Sequence, residues 1–343
     1  MSLNVRNATD GEMFRLQAIQ RHLNIDVDPW DEEFDVAVIK SVVRRIRPIL
    51  KAEEPTSGDE LIEALALHFG VHFESVRSDA DIRRLQRHYI ARNELGFAIL
   101  DRELSDPKVD ALLFQLQNPS EIASHVAILN LREYCEHEFW SKIHELSHRL
   151  GEPQQKTLPF RRHPAERQSP VEQLIDAVSS EIGFGVTYFQ PIVGRHARHN
   201  RYLTISIVEA IRAEWAPNAS FLAVANAATK FWPRPSMVLV AAVRGRIKNG
   251  RETREDEALR VDIHGHNKLA TNIGMVPKLN WRVPHTSPLF AAFHEKRRVD
   301  DLECLGDWTS TKGGSLPPIQ VVTSASRFGL RAYAIISSET AAA

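Results

Sequence analysis

The chain has 343 residues, 43 Lys and Arg against 44 Asp and Glu, and a formal net charge of −1. A near-zero charge excludes a global field that would steer the chain to nucleic acid or anionic membrane, and leaves only local basic patches to consider. No apolar run of about 18 residues and no signal-peptide pattern occurs, so no membrane partner is expected; two cysteines, Cys135 and Cys304, make no disulfide framework and fit a reducing cytoplasm.

The length suggests two domains. Asp10–Leu23 reads as a short amphipathic helix, and Asp31–Lys51 as a longer one disturbed near its end by Pro48. After the break Pro55-Thr56-Ser57-Gly58, a third helix covers Asp59–Phe69 and is closed by Gly70. Val71–Val76 alternates and is β-branched and aromatic, as a strand requires. Asp79–Asn93 is expected as a basic helix, Phe97–Leu100 as a strand, Asp106–Gln117 as a helix and His125–Leu131 as a strand. Helices beside a small sheet describe an α+β domain.

Next comes FWSKIHELSHRLG, in which His144-Glu145-Leu146-Ser147-His148 matches H-E-x-x-H. Phe139, Ile143, Leu146 and Leu150 recur at helical spacing, and Gly151 and Pro153 follow as stop signals. On a helix, His144 and His148 point the same way and can fill two of zinc's four positions. Glu145 leans over the open position, where a carboxylate can take a proton from water. Such a motif also arises by chance on surface helices, so its context decides.

A catalytic zinc needs a third protein ligand. After the polar loop EPQQKTLPFRRHPAERQ, Ser169-Pro170-Val171-Glu172 opens a helix with a capping-box pattern. Its apolar stripe is Val171, Leu174, Ile175, Val178 and Ile182, and Gly183 and Gly185 end it. Glu172 is the expected third ligand, and Asp176, one turn on, the acceptor that orients a ligand imidazole. Glu172 as a mere cap stays open, with Asp176 and Glu181 as substitute ligands. No Tyr or His stands at a spacing that marks an oxyanion stabiliser, and Tyr188 is only one candidate. Cys135 is expected as buried packing.

PIVGRHARHNR (191–201) reads as a break. Beyond it lie a helix, Leu203–Trp215, strands at Met237–Val243, Leu259–Ile263, Ile319–Thr323 and Leu330–Ile336, and a helix at Ser287–Lys296. They describe a second α/β domain without a catalytic motif. His264 and His266 carry little expectation of a metal role, and Cys304 could act as a thiol switch on the zinc.

The H-E-L-S-H motif, the segment E-x-x-I-D-x-V-S-S-E-I-G-F and the helix–strand stretch LIEALALHFGVHFESV resemble the ImmA/IrrE-type zinc metallopeptidases over residues 55–192. The family pattern is H-E-L-G-H followed by E-x-x-A-N-x-F-A-A-x-L-L-x-P. Here Asp176 replaces its Asn, Ser179 and Ser180 its Ala pair, and Gly185 its Pro. The resemblance implies three segments: an N-terminal helical extension (1–54), a helical zincin-like metallopeptidase domain with a small sheet (55–192), and a GAF-like sensor domain (200–340). CapP-like members, from anti-phage defence operons, share that order. It further implies zinc, a helix-turn-helix repressor as substrate, DNA damage as the trigger and single-stranded DNA as an activator. Arg161, Arg162, Arg195 and Arg198, with Arg244–Arg254 and the rings of Trp232 and Trp281, are candidate nucleic-acid contacts. The alternative is a non-catalytic DNA-responsive regulator with a structural or vestigial zinc site.

Overall fold

The computed structural model describes residues 8–106, 109–120, 123–132, 137–151, 157–161, 169–185, 187–248, 251–310 and 314–339, with backbone alone at 157–161, 246–248 and 251–255. The chain is mixed α and β with two small sheets. Its contacts divide it into one unit of residues 1–186 with 215–219, and another of residues 187–214 with 220–343. Residues 1–54 thus share a compact unit with the His pair. Among the described residues no helix is long and apolar enough to cross a membrane.

The first unit opens with α1 (Asp10–Leu23), capped by a reciprocal Thr9–Glu12 box, and α2 (Phe34–Glu53). Pro48 lies inside α2, which runs on to Glu53 and buries Ile46 and Leu50 on either side of the proline. α3 (Gly58–Phe69) ends at Gly70, whose φ of +63° is the left-handed cap that favours glycine. Then follow β1 (Val71–Val76), α4 (Asp79–Ala91), a 3-10 turn at Leu95–Ile99 and α5 (Leu100–Leu104). The strand expected at Phe97–Leu100 is therefore helical, with Phe97 buried against Tyr89 and Phe114.

The helix expected at Asp106–Gln117 is a strand, β2 (Val109–Gln115). Its residues 111–114 are all buried, and a strand covered on both faces reads as a continuous apolar run without period two. β3 (His125–Asn130) leads into α6 (Glu138–Gly151). The polar loop expected after Gly151 contains β4 (Thr157–Arg161), and α7 (Pro170–Phe184) follows. The sheet order is β1-β3-β2-β4, with β1 parallel to β3 and the other pairs antiparallel. One face packs Val76, Leu112, Val126 and Ile128 against Ile82 and Leu85 of α4. The other gathers Phe73, Ala111, Leu129 and Leu131.

In the second unit the break expected at 191–201 is a helix, α8 (Phe189–His199). Pro191 sits in its first turn, where no helical N–H is required, and Phe189, Ile192, Val193 and Ala197 are buried. α9 (Ile205–Trp215), whose last residue belongs to the first unit, and α10 (Phe221–Phe231) precede β5 (Ser236–Lys248) and β6 (Arg251–His266). α11 (Lys268–Asn272), α12 (Pro288–Glu295), β7 (Val299–Cys304), β8 (Gln320–Phe328) and β9 (Arg331–Ser337) complete it. The antiparallel sheet has the order β6-β5-β9-β8-β7, with Trp308, Met237 and Leu289 in its core. In this unit the sequence leaves α10, α11 and β7 unassigned.

Candidate metal centre

α6 forms because Phe139, Ile143, Leu146 and Leu150 make one buried stripe, and Glu138 and Lys142 pair at 2.7 Å one turn apart on its first turns. α6 packs on α7, which buries Leu174, Ile175, Val178 and Ile182. The two helices approach closely because small residues line the contact. A Cβ on Gly183 would stand 2.7 Å from Ile143 Cδ1 and 3.3 Å from Phe139 Cε1. Ser147 Oγ donates to the Ile143 carbonyl at 2.8 Å and Ser179 Oγ shares its one proton between the Ile175 carbonyl at 2.7 Å and Ser147 Oγ across the same interface at 2.9 Å.

This approach sets the third donor against the His pair. His144 Nε2 and His148 Nε2 lie 2.9 Å apart. Glu172 Oε2 is 3.4 Å from the first and 3.2 Å from the second. Donors around tetrahedral zinc at bonds of about 2.0–2.1 Å are about 3.3 Å apart, so these atoms stand near the corners of one coordination sphere. His144, His148 and Glu172 are the group of donors among the described residues that could hold an ion.

Glu172 does not complete the capping box. The Ser169 hydroxyl accepts from the Val171 N–H, and the Glu172 carboxylate turns to the imidazoles. Its other oxygen, Oε1, faces Arg15 of α1 at 3.5 Å. Asp176 Oδ1 accepts from His144 Nδ1 at 3.0 Å, which leaves Nε2 as the lone-pair nitrogen. Glu181 is outside the cluster.

The electrostatics match the geometry. Burial opposes charge on His144, yet its bonds to Asp176 and Glu172 outweigh burial and raise its pKa. Burial likewise opposes ionisation of Glu172, but His148 and His144 hold its carboxyl well below the usual range. Glu145 is fully buried, and burial pushes its pKa up to about 7 against the opposing pull of both imidazoles. Neither of its oxygens has a hydrogen-bond partner among the described residues. Unsatisfied buried carboxylates are costly, and a cation with its water beside them removes that cost. The residues present therefore fit a metal ion.

Other expected sites fare differently. Arg161 ends β4 with its side chain outside the described residues, as are Arg162 and Cys135. Arg195 pairs with Glu214, which also takes His196 Nε2 at 3.0 Å; Arg198 is exposed on α8. Trp232, expected as a stacking ring, is only 2% exposed and is core, whereas Trp281 is partly buried. Arg244 pairs with Asp262 at 3.1 Å. Cys304 is a free, half-buried thiol at the end of β7 in the second unit, where Tyr188 also lies. His264 and His266 stand 5.4 Å apart on β6 without a third donor among the described residues. Arg15 carried no sequence signal, because its partner is 157 positions away.

Comparison with known proteins returns no matching family model and no matching curated protein.

Proposed function

We propose that the chain is a zinc-dependent endopeptidase. The observation that carries the reading is the convergence of His144, His148 and Glu172 beside an unpartnered buried carboxylate, Glu145. His144 and His148 would hold the ion through Nε2 and Glu172 through Oε2. Zinc, when bound, supplies a Lewis acid that polarises the scissile carbonyl and brings the pKa of a water toward 7. Glu145 takes that water's proton on a carboxylate oxygen and delivers it to the leaving amine nitrogen. Asp176 holds His144 in one tautomer and orientation throughout.

The substrate class rests on the resemblance to ImmA/IrrE-type peptidases. We take the substrate to be a helix-turn-helix repressor, cut in response to DNA damage in stress or anti-phage defence regulation. On the same ground the second unit is a GAF-like sensor that responds to single-stranded DNA, and the chain works in the cytoplasm.

The test is incubation of the zinc-loaded chain with a helix-turn-helix protein, if one is encoded beside its gene, with and without single-stranded DNA. The native chain cuts that protein and a chelator stops it. Glu145→Gln keeps zinc and does not cut. Cleavage retained by Glu145→Gln refutes the mechanism. Salt-dependent binding of single strands with zinc present and no cleavage by the native chain would favour the non-catalytic regulator.

A further inference from the structure

Among the described residues β1 is an edge strand, hydrogen-bonded on one side only, to β3. Its pairing has a fixed parity. The Gly70 carbonyl accepts from the His125 N–H at 2.9 Å and the Val76 carbonyl from the Leu131 N–H at 2.8 Å. Even-numbered residues of β1 therefore turn their amides to β3, and Val71, Phe73 and Ser75 turn theirs outward. None of those three has a hydrogen bond on the open side among the described residues. Free edges of this kind are usually blocked by a bulge, a proline or a covering segment.

Beside this edge lies a cavity of about 560 Å³. Its lining includes a stripe of α3 at helical spacing, Asp59, Ile62, Glu63 and Leu67, together with Phe73 of β1 and Lys142 of α6. Leu67, 68% exposed, gives this lining an apolar side chain that solvent reaches. Lys142 is neutralised by Glu138. Asp59 and Glu63 have no ion pair among the described residues, so the groove carries uncompensated negative charge. His144, His148 and Glu172 do not line it.

We propose that this edge and groove form a docking site for an extended segment of a partner polypeptide, added to the sheet as a fifth strand beside β1. Backbone amides of the partner pair with Val71, Phe73 and Ser75. An apolar side chain of the partner covers Leu67 and Phe73, and a Lys or Arg two positions away meets Glu63. Glu63 and Leu67 are one helical turn apart, about 6 Å. Residues i and i+2 of a strand share a face about 6.7 Å apart, so the spacing matches. The site is independent of the metal-centre reading and stands whether or not the chain is a peptidase.

The experiment is selection of random dodecapeptides displayed on phage against the full chain, followed by amide hydrogen exchange with the best synthetic peptide. The expected peptides alternate, with an apolar residue and a Lys or Arg at i and i+2. Their binding slows exchange at Val71, Phe73 and Ser75 at least about tenfold, as new strand pairing does. Leu67→Asp and Glu63→Lys, both on the surface of α3, each weaken binding by about tenfold or more while the circular dichroism is unchanged. Replacing the selected peptide's β1-facing amides by N-methyl amides abolishes binding. The proposal is overturned if no selected peptide depends on Leu67 or Glu63, or if those three amides keep exchanging freely in the complex. It is equally overturned if the chain alone dimerises with these amides already protected, since the occupant is then a second copy.

Discussion

The Nδ1 nitrogen of His144 donates to Oδ1 of Asp176 at 3.0 Å, while its Nε2 nitrogen faces Glu172 and His148. One carboxylate thus fixes which nitrogen of the ring is free for an ion. Asp176→Ala should lower zinc affinity by about 10- to 100-fold without unfolding the chain. Competition with a chromophoric chelator measures it; an unchanged affinity would show that the bond does not orient the ring.

Arg15 makes a second test of the same centre. Its guanidinium lies 3.5 Å from Glu172 Oε1 and is partly exposed, so the pair is weak. Arg15→Ala should tighten zinc binding by about two- to fivefold at low salt, because a guanidinium beside Glu172 repels a dication and competes for its carboxylate, and Arg15→Lys should change it less. The same chelator competition, at low and high salt, separates this from a loss of fold, because the effect should shrink as salt screens the pair.

The contact between α6 and α7 predicts intolerance at Gly183. A side chain there runs into Ile143 and Phe139, and the Gly183 carbonyl accepts from Trp215 Nε1 at 2.8 Å. Gly183→Val should destabilise the first unit by about 1–3 kcal/mol through overpacking, and loosen zinc binding with it. Chemical denaturation of the native and variant chains gives the difference.

These relationships show what the residue order reveals and what it hides. His144 and His148 were legible because i and i+4 share a helix face, and Glu172 because a helix start followed at a suitable distance. The capping box that competed for Glu172 was a fair alternative, and only the direction of its carboxylate decides between them. β2 was hidden because Leu112, Leu113 and Phe114 are buried on both faces. α8 was hidden because Pro191 and Gly194 resemble a break, although a proline in the first turn costs no hydrogen bond. The role of Arg15 follows from α1 packing on the site, which no local pattern encodes.

His125 gives a pH dependence away from the metal. Burial, with Arg149 nearby, depresses its pKa from 6.5 to about 4, and Ser124 Oγ holds its Nδ1 at 2.9 Å. Between those values the unfolded chain binds the proton more readily than the folded one, so folding stability falls as pH drops from 6.5 toward 4. The loss should be about 2 kcal/mol after screening by solvent. His125→Gln should remove that component from urea denaturation curves taken across the same range; an identical slope in the variant would assign the pH dependence elsewhere.

The most direct measurement is a metal count on the purified chain after zinc loading and desalting, for the native protein and for His144→Ala, His148→Ala, Glu172→Ala and Glu145→Gln. One zinc per native chain is expected, retained by Glu145→Gln and lost or greatly weakened in each of the other three. A native chain that holds no zinc, or one that keeps it after His144 and His148 are both replaced, would contradict the convergence of these side chains on a single ion.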